Sequence, residues 1–234
     1  MFNCSDEVLL ELAWRHKLQQ VSRYLLHDLS NYLTGSLALS ELCCLGSSPD
    51  SSEDMLVIRN NCYKERELLM RLSQLNHTKM NTLTYVDVKS FIGDLMPIFR
   101  CILPSHVDLS FAANNVSTRV IQFKPEFLHR IFIQLIFNTA EALKNVSTPQ
   151  VKITSSLENE KLICLIEDNG CGISPKLLQS IEQPMASFQP KDDLHLGLGL
   201  YMVRYYLTIM NSSFTIKSEE NKGTQIKIYF PALA

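Results

Sequence analysis

The sequence predicts two domains of different class: an α-helical hairpin over residues 1–81, then an α+β domain with a mixed, mostly antiparallel sheet over 82–234. Three observations carry that division. Between residues 5 and 45 there is no proline and a single glycine, Gly35, while apolar residues recur at spacings of three and four. A breaker cluster, Gly46-Ser-Ser-Pro49-Asp50, is followed by a second stretch of helical spacing. Beyond Asn81 the texture changes to short β-like runs separated by apolar helical segments.

The first helix is marked by a seam of Leu18, Ser22, Leu25, Leu29, Tyr32, Ser36, Leu39 and Cys43, with Ser5, Asp6 and Glu7 as an N-terminal cap suited to the helix dipole. Met55, Ile58, Cys62, Leu69 and Leu72 restart the period as far as about residue 79. A helix of about 40 residues is roughly 60 Å long, and a lone hairpin of that length leaves one flank of its seam wet. Pairing of two hairpins into a four-helix bundle removes that exposure. In the second domain the patterns predict strands at 83–86 and 107–111 around a helix at 88–101, then a helix at 124–144 and strands at 151–155 and 161–167. Helices at 174–181 and 198–210 and strands at 213–218 and 224–230 complete it.

Composition excludes several classes of function. With 22 Lys+Arg against 24 Asp+Glu, the chain offers no bulk attraction to nucleic acid or anionic lipid. No uninterrupted apolar run approaches the ~18 residues of a membrane span, since the longest candidate, 127–143, contains His129, Arg130, Gln134 and Asn138. Asp6, Glu7 and Glu11 stand where a secretion signal is basic and apolar, so a cytoplasmic protein is expected. The seven cysteines are scattered, without a CxxC pair, and are expected to be buried thiols.

Four segments of the second domain carry chemistry. In Gln134-Leu-Ile-Phe-Asn138-Thr-Ala-Glu141, a carboxamide and a carboxylate stand one turn apart on an otherwise apolar helix; Asn138 can offer an oxygen to a hard cation or simply cap a break. In Glu-Asp168-Asn-Gly170-Cys-Gly172 a β-run ends in a carboxylate and two glycines. Asp168 can accept from an exocyclic amine, and glycines let backbone approach a flat base, although Asp-Asn-Gly is also a common turn. Gly197-Leu-Gly199 opens a helix, where outward amides and the dipole favour anions. Lys222-Gly223-Thr224 precedes the last strand and also reads as a hairpin turn.

In this order and spacing the four segments resemble the ATP-binding domain shared by histidine kinases, gyrase, MutL and the large heat-shock chaperone, over about 88–234. The resemblance implies that Asn138 chelates Mg²⁺, that Asp168 with Gly170 and Gly172 reads adenine, that Gly197 and Gly199 with the lid at 182–194 hold the triphosphate, and that Thr224 lies near the base. Where hydrolysing members have a glutamate base, this chain has Gln134, whose neutral amide takes no proton at pH 7, so rapid ATP hydrolysis is disfavoured. His195 and a short lid with a single Phe188 are departures from the family pattern.

In the first domain, Leu26-His27-Asp28-Leu-Ser-Asn31-Tyr-Leu33 resembles the phosphoacceptor motif of histidine kinases, over about 8–79. If Leu25 and Leu29 face the bundle core, His27 lies about 200° around from Leu25 and projects into solvent. The resemblance implies phosphorylation of His27 from ATP, with Asp28 orienting the ring, Asn31 linked to dephosphorylation, and transfer to an aspartate of a response regulator. A homodimer and a separate sensor protein are the further expected partners. Two alternatives share these features: a histidine phosphotransferase relay, and an ATP-binding pseudokinase.

Overall fold

In the computed structural model the described residues are 4–44, 51–76, 84–114, 120–158, 161–182 and 194–231. They divide into two compact units, Arg15–Lys79 and Met1–Trp14 together with Met80–Ala234. The first unit is built on the continuous helix α1 (Cys4–Cys44) and on α2 (Ser51–Asn76). α1 begins at Cys4, so Ser5 sits inside its first turn rather than before it. Lys64 lies over the Tyr32 ring at 5.1 Å and Asn61 stands against Gly35, so position rises along one helix as it falls along the other. Val21 and Leu25 are fully buried, whereas Leu26, Leu37, Met55, Leu56 and Val57 are each at least 45% exposed. Apolar side chains, most of them off the seam, are therefore left wet. The connecting turn, His77 and residues 78–83 lie outside the described residues.

In the second unit β1 (Thr84–Asp87) pairs antiparallel with β3 (Val120–Phe123), a strand the sequence pattern did not reveal. Asp87 then caps α3 (Val88–Ile102), accepting from the Lys89 N–H at 3.0 Å and the Ser90 hydroxyl at 2.8 Å. The main sheet runs β2-β4-β5-β7-β6, from β2 (Asp108–Asn114), β4 (Gln150–Glu158), β5 (Lys161–Asp168), β6 (Ser213–Glu219) and β7 (Gly223–Pro231). Only β2 and β4 are parallel, so the sheet is mixed and mostly antiparallel as expected. Alternate residues supply its core face: Val151 and Ile153, Leu162, Cys164 and Ile166, Ile226, Ile228 and Phe230 are all buried.

Three helices complete the unit: α4 (Pro125–Ala142), α5 (Pro175–Glu182) and α6 (Leu194–Ile209). α4 runs antiparallel to α6, with Phe127 and Arg130 near Tyr206 at one end and Gln134 beside Gly199 at the other. Nearly every α4 residue from Leu128 to Phe137 is buried, which makes its polar members informative. Arg130, 9% exposed, gives Nη1 to Glu11 at 2.8 Å and to the Tyr206 hydroxyl at 2.6 Å, gives Nη2 to Glu126, and lies over the Trp14 ring. This cation, with buried Leu10 and Trp14, draws the first turns of α1 into the second unit. Next to it, burial holds the imidazole of His129 below the ordinary histidine range, and the neutral ring's Nδ1 lies 2.8 Å from the Pro125 carbonyl.

The cysteines depart from the expectation of burial. Cys164 is buried, Cys101 is part-buried, and Cys62 and Cys171 are exposed, because one rides the wet flank of α2 and the other a turn. On the core face of β4, Ser155 is fully buried and its hydroxyl has no hydrogen-bond partner among the described residues. Removing an unsatisfied hydroxyl recovers its desolvation cost, so Ser155→Ala is expected to stabilise the protein by about 1 kcal/mol. The check is a raised urea midpoint at unchanged slope.

Candidate functional site

β5 delivers Asp168 to the edge of the core, and the antiparallel register sets Thr224 of β7 directly opposite it. The chain then turns sharply through residues 169–174, and that turn is fastened on two sides. The Cys171 N–H donates to the Ala142 carbonyl at the end of α4 at 3.0 Å, and the Asn221 N–H donates to the Cys171 carbonyl at 2.8 Å. The Ser218 hydroxyl accepts from the Ile173 N–H at 2.8 Å and donates to the Gly223 carbonyl at 2.9 Å. Having spent its one proton there, it accepts from the Thr224 hydroxyl, also at 2.9 Å.

The glycines serve this fastening first. A Cβ at Gly170 would stand 2.7 Å from the Ala142 side chain, and one at Gly172, where φ is +69°, would stand 2.1 Å from the Glu219 carbonyl oxygen. Both close approaches are to the protein's own atoms, and they shape the pocket wall. Gly223, with φ of +94°, is likewise pressed against the Asp168 carbonyl, so the hairpin reading of Lys222-Gly223-Thr224 also holds.

The pocket so formed has a volume of about 480 Å³. Asn138, Thr139, Asp168, Gly172, Leu200 and Thr224 are among its lining residues, which brings together expected site residues from α4, β5 and β7. Burial pushes the Asp168 carboxyl above the ordinary carboxylate range, and hydrogen bonds from Gly170, Thr224 and Thr139 oppose that rise. The Gly170 N–H reaches Asp168 Oδ1 at 2.9 Å. Thr139 and Ser218 were missed by sequence reasoning: a lone hydroxyl on an apolar helix or strand carries no pattern that separates it from a surface residue.

At the α6 end, Gly199 is buried against Gln134 and Asn138. α6 begins at Leu194, not at Gly197, so Gly197 lies in its first turn and Gly199 in its second. Lid residues 183–193, with Phe188, and the side chain of His195 lie outside what is described. Lys144 pairs with Glu141 at 2.6 Å on the surface. A hard cation fits this donor set: Asn138 is a single neutral oxygen ligand, and Mg²⁺ commonly keeps its waters and takes only one or two protein ligands beside phosphate. Among the described residues no cluster of three or more His, Cys, Asp or Glu could hold a metal unaided.

In the first unit His27 is 72% exposed on its side chain while Leu25 is buried, as the helical geometry requires. Its Nδ1 lies 3.4 Å from Asp28 Oδ1 and 3.3 Å from Asn31 Nδ2. These two contacts select opposite tautomers, since Asp28 accepts from Nδ1–H and Asn31 donates to a bare Nδ1.

Residues 123–234 match the family described as histidine kinase-, DNA gyrase B-, and HSP90-like ATPase. Over those residues the chain is similar to the ATP-binding domain of that family. Sensor histidine kinase ZraS of Salmonella typhimurium is 31% identical over 128 residues, 55% of this chain and 26% of ZraS. Sporulation kinase D of Bacillus subtilis is 23% identical over 216 residues, 89% of this chain and 40% of that one. The chain thus spans well under half the length of these relatives. Among solved structures, the mycobacterial sensor histidine kinase MprB superposes with a TM-score of 0.52 at 17% identity, covering 64% of this chain and 98% of that one. The histidine kinase domain from Erythrobacter litoralis EL346 does so with 0.51 at 13% identity, covering 91% and 95%. At these identities the likeness is one of fold. Among the described residues no helix is long and apolar enough to cross a membrane.

The two features that build the pocket predict opposite stability effects in ligand-free protein. Gly172→Ala places a side chain at positive φ against backbone and is expected to cost about 1–3 kcal/mol. Asp168→Asn removes a buried charge. Because the folded-state pKa of Asp168 is raised, its protonation favours folding at low pH and that contribution is lost as pH rises through the folded value. Asp168→Asn should therefore melt higher than the parent at neutral pH, with the gap closing on acidification.

Proposed function

We propose that the chain is an ATP-dependent protein-histidine kinase that phosphorylates His27 and passes the phosphoryl group to an aspartate of a separate response regulator. The observation that carries this reading is the pocket at Asp168, where a half-buried carboxylate acceptor, a threonine hydroxyl and the Asn138 carboxamide line one cavity beside the start of α6. Asp168 would accept from the adenine amino group, and the start of α6, with Gly197 and then Gly199, would hold the triphosphate, its first-turn amides taking phosphate oxygens. Bound Mg²⁺ would screen the phosphate charge, with Asn138 as its protein ligand.

In the first unit Asp28 accepts from Nδ1–H of His27, which leaves the Nε2 lone pair free in the exposed ring. Nε2 attacks the γ-phosphorus in line; the Nε2–P bond forms, the bond to the bridging oxygen breaks, and ADP departs with the electron pair. Asp28 then stabilises the ring while it carries positive charge. The Asn31 contact is the one suited to a dephosphorylating role, since it places an amide donor beside the ring. Gln134 is 2% exposed and bonded to Asn138, so this position supplies no base to activate water and ATP hydrolysis is expected to be slow.

The wet apolar side chains of the hairpin support homodimerisation through a four-helix bundle. The retained pocket favours the kinase over a phosphotransferase relay. Incubation with γ-labelled ATP and Mg²⁺ should give acid-labile, base-stable label that is abolished in His27→Gln and reduced at least about tenfold in Asp168→Asn. Nucleotide binding without label would make the chain a pseudokinase, and neither would leave the relay.

A further inference from the structure

We propose that Gln134 is a positioning residue: its amide and the space left by Gly199 together fix which end of the Asn138 carboxamide faces the start of α6. This rests on the nucleotide reading of the pocket and deepens it. Sequence reasoning gave Gln134 only a negative role, as the base that is missing, yet a carboxamide buried to 2% exposure must have a partner. Its partner is one turn along α4, where Gln134 Nε2 donates to Asn138 Oδ1 at 2.9 Å.

The third member stands on α6. A Cβ at Gly199 would lie 2.1 Å from Gln134 Nε2, 2.8 Å from Gln134 Cδ and 3.2 Å from Asn138 Oδ1. Gly199 is thus the position at which any side chain would push the Gln134 amide off Asn138. The expectation that this glycine clears a path for phosphate is supplemented by a demand from inside the protein.

An asparagine carboxamide turned over about its last bond exchanges oxygen for nitrogen with almost no change of shape, so packing alone does not choose between the two. A fixed donor does. The Gln134 N–H holds the oxygen on the α6 side, where one lone pair accepts it and the second remains for a hard cation. Asn138 Nδ2 is buried without a hydrogen-bond partner among the described residues, so nothing at the other end of the amide competes for this orientation. A net hydrogen bond of ordinary strength biases such a choice by roughly fivefold. Without Gln134, the cation would meet N–H groups as readily as oxygen.

The test measures affinity of the full chain for an imido analogue of ATP by calorimetry, in Mg²⁺ and in EDTA. Gln134→Met keeps the shape and removes the donor. It is expected to leave the EDTA affinity within about twofold and to lose about fivefold of the gain conferred by Mg²⁺. Gly199→Ala, which displaces the same amide, should lose a similar part of that gain, and the double variant should be no worse than Gln134→Met. In ¹⁵N spectra the Asn138 side-chain NH₂ pair, a single sharp pair in the parent, should broaden or double in Gln134→Met. A full Mg²⁺ gain in Gln134→Met, or losses that multiply in the double variant, would overturn the inference while leaving the nucleotide reading intact. A parent protein that binds no nucleotide in either buffer would remove both. Should Gln134→Met fail to melt cooperatively, Gly199→Ala and the parent's NH₂ pair decide the matter.

Discussion

A helix buried over most of its length is pressed to pair the polar groups it carries, and α4 is such a helix from Leu128 to Phe137. Arg130, Gln134 and Asn138 fall at successive steps of four, which sets them on one stripe facing α6. The two Nη atoms of Arg130 are bonded to Glu11, Glu126 and Tyr206, and Gln134 is bonded to Asn138. One stripe thereby ties the first turns of α1, the length of α6 and the floor of the pocket to the same element. Its upper end packs against α1 and its lower end reaches the pocket, and a single spacing rule produces both.

The opposite wall of the pocket obeys a different constraint, that of close backbone approach. Asp168 ends β5 opposite Thr224, and the turn that follows has to pass between α4 and the β6–β7 hairpin. Glycine at 170, 172 and 223 is what that passage permits, since a Cβ at any of them would fall within 2.7 Å of another atom of the protein. Burial raises the proton affinity of the carboxylate, while three hydrogen bonds hold it in place and oppose that rise. Preorganisation of this kind is assembled before any ligand arrives.

In the hairpin unit the same helical spacing does the reverse, keeping a polar side chain wet. Val21 and Leu25 take the buried stripe, and His27, two positions on from Leu25, is turned to solvent with Asp28 and Asn31 on either side of its Nδ1. Exposure leaves Nε2 open, while its two neighbours offer alternative tautomers to one ring. Chemistry at such a histidine is governed by local amide and carboxylate contacts, because nothing else encloses it.

The sequence by itself determined whatever depends on near neighbours along the chain. The helical seam of α1, the exposure of His27 beside a buried Leu25, the alternation of β4, β5 and β7, and the order of Asn138, Asp168, Gly199 and Thr224 all follow from periods of 3.6 and 2 and from turn chemistry. Only the tertiary structure decided the rest. The four residues of β3 are too short to show a period, the start of α6 at Leu194 lies within an apolar run that fits more than one boundary, and Cys171 is exposed by a fold-specific turn. That Thr139 and Ser218 hold the site, that Glu11 reaches Arg130 119 positions away, and that Gly199 makes room for Gln134 are contacts between distant segments, and no local pattern encodes the partner a side chain meets only after the chain has folded.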